Sequence, residues 1–174
     1  MLSKGYTFFE LLLVFSLIAI STTLAVPALH QLVLNHEDRI LQSQLLDAIH
    51  LAREFAFIKK VPVGLSVAEA DERLLIFVDT VKQAVPKTNQ IVAIVQFNQH
   101  GGLLHSRSYP FYRRYLRFMP IAPFSDNGLF WFCRKQAMQP CFAVTLNRLG
   151  ETHIIYPDIA GEIRDSADRV LNCA

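Results

Sequence analysis

The chain has 174 residues, 52% of them hydrophobic, and a formal net charge of +2. That length suits one membrane helix and one compact domain rather than several domains. The near-neutral balance excludes a nucleic-acid binder that works by whole-molecule attraction, so any such role has to come from a local patch.

The N-terminus reads Met-Leu-Ser-Lys-Gly-Tyr-Thr-Phe-Phe-Glu, followed by a nearly unbroken apolar run from Leu11 to Val26. About twenty such residues span the hydrocarbon core of a bilayer. Glu10 sits inside this segment, where a charge costs at least ~3 kcal/mol on insertion scales. A residue that expensive implies a partner. An ordinary secretory signal fits less well, because its apolar region is shorter and ends in a small-x-small cut site. A plain membrane anchor leaves Glu10 unexplained. Lys4 and the free amine hold the N-terminus in the cytoplasm and put the remainder across the membrane.

From Ala28 to Lys60 apolar residues recur at helical spacing, among them Leu41, Leu45, Ala48, Ile49, Ala52 and Ala56, with charged residues on the other face. The spacing predicts a single helix from Phe8 to Lys59, roughly 75 Å long at 1.5 Å per residue. Pro27 removes a hydrogen bond and should bend it near the membrane surface, and Pro62 is a stop signal. Short segments rich in β-branched and aromatic residues follow: 61–67, 73–79, 91–97, 115–121, 129–133, 142–147 and 152–156. Turn material such as Gln99-His100-Gly101-Gly102 and Asn147-Arg148-Leu149-Gly150 separates them. The expected architecture is α+β, a long helix (transmembrane half plus amphipathic half) packed on an antiparallel β-sheet or β-sandwich head. Its divisions are residues 1–5, 6–34 and 35–174.

Three cysteines, Cys133, Cys141 and Cys173, leave one over in an oxidising compartment. Cys133 and Cys141 bracket a turn-like loop, and their bridge is favoured slightly. A bond from Cys173 to one of them would instead staple the tail to the domain. The stretch from Ser106 to Phe118 interleaves four arginines (Arg107, Arg113, Arg114 and Arg117) with five aromatics. Arginines hold phosphates while rings stack on bases, so this is the candidate contact for nucleic acid, anionic lipid or a partner subunit. The plainer reading is an edge strand with aromatics inward and arginines outward. The six histidines are scattered without metal or triad spacing. No catalytic residue, metal or cofactor is expected.

Gly5-Tyr6-Thr7-Phe8-Phe9-Glu10 followed by the apolar run resembles a type IV prepilin leader. The resemblance implies cleavage by prepilin peptidase between Gly5 and Tyr6, methylation of Tyr6, and an assembly role for Glu10 and Pro27. Leu51-Ala52-Arg53-Glu54-Phe55-Ala56, Val61-Pro62-Val63 and the stretch from Phe142 to Gly150 are similar to the GspH/FimT family. That family holds the minor pseudopilins H of type II secretion and the FimT minor pilins. The resemblance implies a pilin-like fold and a minor subunit of a filament anchored in the inner membrane, single-pass, with a periplasmic head. Its implied partners are other pseudopilins or pilins, the peptidase, the membrane and secreted cargo. DNA-binding FimT proteins carry Gly-Arg-x-Arg where this chain has Gly150-Glu151-Thr152-His153, so nucleic acid is disfavoured. The function implied is a type II secretion pseudopilin, with a minor type IV pilin in pilus assembly or DNA uptake as the alternative.

Overall fold

The computed structural model describes residues 8–68, 73–80, 82, 86–96, 101–109, 115–121, 124–135 and 137–173. Helix α1 spans Phe8–Lys59 with Pro27 inside it. It ends at Lys60, whose φ of 56° is the left-handed conformation that closes helices, with Lys60 Nζ 4.5 Å from the Phe57 ring centre. The chain divides into two units between Arg39 and Ile40.

In the second unit one stripe of α1 is fully buried. Leu41, Leu45, Ala48, Ile49, Ala52 and Ala56 are at most 2% exposed. Their spacing places them one above another on a single face, so this half of the helix is an amphipathic core element.

Eight strands follow: β1 Val63–Ala68, β2 Arg73–Val78, β3 Ile91–Gln96, β4 Gly102–Tyr109, β5 Tyr115–Phe118, β6 Asn127–Arg134, β7 Phe142–Leu146 and β8 Thr152–Ile155. They make two antiparallel sheets, β3-β2-β1-β5 and β4-β6-β7-β8. The main core joins the helix stripe to Val63, Leu65, Leu74 and Ile76 of the first sheet and to Phe130, Phe132, Phe142 and Val144 of the second. Gly64 lies opposite Phe77, whose ring fills the space a Cβ would need.

The sequence reading missed β4 as a strand of its own. The segment from Ser106 to Phe118 instead contributes to two sheets: among the described strands β4 pairs with β6 and β5 with β1. His105, Ser106, Arg107 and Ser108 include none of the residues enriched in strands. They are accommodated because β4 is an edge and because His105 stacks on Trp131 with ring centres 5.2 Å apart.

β6 alternates strictly. Phe130 and Phe132 enter the main core, while Leu129, Trp131 and Cys133 point the other way into a second cluster with Ala143, Ile163 and Leu171. The C-terminal tail supplies that second cluster. Leu171 N donates to Ile163 O at 2.8 Å, and Trp131 Nε1 donates to Asn172 O at 3.2 Å.

This arrangement decides the cysteine pairing and corrects the expected one. Cys133 bonds Cys173, with Cα atoms 5.6 Å apart, and Cys141 is outside the disulfide. The physical reason is the sheet's two faces. Cys133 lies on the tail side, whereas Cys141 packs against the main core on the opposite side. Nearness in sequence therefore does not bring Cys133 and Cys141 face to face.

Candidate functional site

The first unit presents apolar surface without internal cover. Phe8, Phe9 and Phe15 are 65–80% exposed, and Leu11, Leu12, Leu17, Ile18 and Ile20 are at least half exposed. Among the described residues, α1 is the one helix long and apolar enough to cross a membrane, and none of its apolar window is buried within the chain. An exposed apolar surface of that extent calls for lipid or for other helices.

Its polar groups suit such surroundings. Ser16 Oγ donates to Leu13 O (2.7 Å), Ser21 Oγ to Leu17 O (2.8 Å), Thr22 Oγ1 to Ala19 O (3.0 Å) and Thr23 Oγ1 to Ile20 O (2.8 Å). Each hydroxyl is satisfied by its own helix, so none has to be stripped of water unpaired. Glu10 lies in the first turn, where the positive end of the helix dipole favours a carboxylate. Pro27 lies within the helix rather than ending it. Gly5 and Tyr6 fall outside the described residues.

Of the candidate arginines, the two that are described face different carboxylates. Arg117 on β5 places Nε 2.8 Å from Asp79 Oδ2, a charge contact rather than an aligned hydrogen bond, and its Nη2 donates to Asp79 O at 3.3 Å. Asp79 also accepts from Tyr115 Oη at 3.3 Å. Arg107 on β4 lies 3.7 Å from Asp165 Oδ2 and covers the Trp131 ring at 5.5 Å. Arg113 and Arg114 lie outside the described residues. Of the two aromatics flanking Arg117, Tyr115 and Phe118, both are buried in the head.

Sequence reasoning missed the group that organises this side of the molecule, Asp165. Three five-residue loops share one geometry. Asn147, Asp158 and Asp165 each accept, through a side-chain oxygen, the N–H groups two and four residues on, at 2.9–3.0 Å. The fourth residue of each loop has positive φ: Gly150 at 80°, Gly161 at 80° and Asp168 at 58°. The signal was legible as Asn-x-x-Gly-Glu, Asp-x-x-Gly-Glu and Asp-x-x-Asp-Arg, each an Asx residue opening a tight turn.

Asp165 goes further than the other two. Its Oδ2 accepts from Tyr109 Oη at 3.0 Å and from Arg169 Nε at 2.9 Å. Burial pushes its carboxyl up, but the Arg169 backbone and guanidinium, the Ala167 N–H and the Tyr109 hydroxyl outweigh burial and lower it to about 2. A carboxylate held so low and so fully hydrogen-bonded fixes the tail against β4 and is no general base at neutral pH. It lines a cavity of about 420 Å³ together with Tyr109, Thr145 and His153. In the tail Arg164 is held between Glu162 (2.8 Å) and Asp168 (3.3 Å).

The chain matches no protein-family model and no curated protein. Its fold is similar to solved structures. One is the minor pseudopilin EpsH from the type 2 secretion system of Vibrio cholerae, at 12% identity and a TM-score of 0.51, covering 70% of this chain and 96% of that one. Another is the type IV minor pilin FimU of Pseudomonas aeruginosa, at 14% identity and a TM-score of 0.49, covering 79% of this chain and 98% of that one. The architecture, one long N-terminal helix with a C-terminal antiparallel sheet head, matches the fold of the EpsH structure.

Proposed function

We propose that this chain is a minor pseudopilin, a structural subunit of a type II secretion filament that takes part in moving proteins across the outer membrane. One observation carries the reading: a helix whose N-terminal apolar window is nowhere buried within the chain, bearing a carboxylate in its first turn and continuing into a head with its own core. The fold likeness to EpsH supports it. Before assembly the helix anchors the chain in the inner membrane, with the head in the periplasm. Prepilin peptidase cuts between Gly5 and Tyr6 and methylates Tyr6.

In the filament the apolar faces of neighbouring helices supply most of the attraction. Glu10 then lies in low dielectric, where a charge is costly without a counter-charge. The methylated amine of Tyr6 on an adjoining subunit is a cation at the right end of the chain, and the pair sets axial register. Arg107 and Arg117, each facing a carboxylate, favour protein secretion over DNA uptake by a minor type IV pilin. Glu10→Ala is expected to leave insertion and cleavage intact while lowering recovery in purified filaments at least fivefold. Recovery equal to that of the unsubstituted chain would remove the register role.

A further inference from the structure

The head carries two surfaces that complement each other. The first is a cavity of about 570 Å³ beside the last turns of α1, lined by Arg53, Glu54, Phe57, Ile58, Met119 and Phe124. Phe57 and Ile58 are more than half exposed. Arg53 Nη1 donates to Gly150 O at 3.3 Å and its guanidinium lies over the Phe124 ring, but among the described residues no carboxylate meets it. With Lys60 over the Phe57 ring, cations here outnumber the carboxylate of Glu54. Such a cavity suits an apolar side chain with an acid beside it.

The second surface is the loop opened by Asp158. Ile159, at its tip, is fully exposed. The loop holds it there. Asp158 N donates to Glu162 O and Gly161 N to Asp158 O, both at 3.0 Å, in addition to the two N–H groups bound by Asp158 Oδ1. An apolar side chain on a loop already fixed loses little further freedom when a partner covers it. Asp158 meets no cation among the described residues, and Arg164 is shared by Glu162 and Asp168, so acid predominates around Ile159.

We propose that the Ile159 loop of one copy of this chain seats in the cavity between Arg53, Phe57 and Phe124 of a second copy. The apolar tip meets the two rings, and Asp158 brings the carboxylate that Arg53 lacks. The two surfaces lie at different levels of the head. Tyr156, just ahead of the loop, donates from Oη to Gln42 Oε1 at 3.1 Å, whereas the cavity lies beside Arg53 to Ile58. Gln42 and Arg53 are about 16 Å apart along α1 at 1.5 Å per residue. A copy displaced along the helix relative to the next therefore brings its loop to the level of the neighbour's cavity. The contact is heterologous, since one copy gives the loop and the other the cavity, and contacts of that kind build rings or filaments rather than two-fold pairs. The displacement rests on the filament reading above; the complementarity of the two surfaces does not.

The test uses the full chain in bacterial inner membranes, as two differently tagged copies, one with a photo-cross-linking residue at Ile58. The contact gives a product carrying both tags, in which the joined peptide contains Ile159. Ile159→Ser in the other copy lowers that product at least fivefold. Asp158→Asn keeps the loop, as Asn147 does in its own, and removes the charge. It lowers the product about threefold, the effect of losing an exposed ion pair. Three results overturn the proposal: no product with both tags, a product indifferent to either substitution, or a product joined elsewhere on the second copy or to a different protein. The filament reading has its own readout, recovery of the chain in purified filaments, so recovery there without this product refutes the contact alone.

Discussion

Removing the tail staple tests the two-faced architecture of β6 most sharply. The Cys133–Cys173 bridge spans a sequence separation of 40. On the chain-entropy estimate, closing a loop of that size withholds about 13 cal/mol/K from the unfolded ensemble, or about 4 kcal/mol at 25 °C. Cys173→Ser is therefore expected to lower the urea midpoint by roughly 2 M at an ordinary slope for a domain of this size. The assay is built in, because the single tryptophan, Trp131, is 8% exposed and belongs to the same cluster as both bridged cysteines. Its fluorescence reports unfolding of the full chain in detergent. Cys141→Ser is expected to cost under about 1 kcal/mol, since it replaces a partly buried thiol by a hydroxyl of similar size. Equal losses for Cys141→Ser and Cys173→Ser, or a non-reduced peptide joining Cys133 to Cys141, would refute the reasoning.

Asp165 supplies a pH signature. Its folded carboxyl lies at about 2, below the ordinary 3.8, so its stabilisation is present above about pH 4 and is lost as pH falls towards 2. The shift corresponds to about 2 kcal/mol at most. The stability gap between the unsubstituted chain and Asp165→Asn should close across that interval in acid unfolding titrations, and a gap constant with pH contradicts the assignment. Gly64→Ala drives a methyl group into the Phe77 ring and is expected to cost about 1–3 kcal/mol in the same denaturation assay. A neutral result would mean that β1 and β2 adjust without strain.

Much of the fold was legible because its signals are periodic. The helix through Lys59 follows from a nearly unbroken apolar run and then a 3.6-residue stripe. β2, β3 and β7 show themselves as clusters of β-branched and aromatic residues of strand length. What was hidden depends on partners far along the chain. β4 is a strand because Trp131 and Asp165 accept its polar side chains, and neither lies near it in sequence. The disulfide follows from which face of β6 each cysteine joins, and the position of the tail fixes that. The arginines of 106–118 look continuous in sequence, but Arg107 on β4 and Arg117 on β5 belong to different sheets. Asp165 was recoverable in part, since the Asx-x-x-Gly pattern occurs twice before it. Its tyrosine partner on β4 was not.

A role in a filament requires that the N-terminus be remade. Intact-mass measurement of the chain extracted from bacterial inner membranes tests this directly. The expected species begins at methylated Tyr6, having lost Met1 to Gly5 and kept the whole apolar helix. A chain that retains its first five residues, or one that begins beyond residue 25, would contradict it.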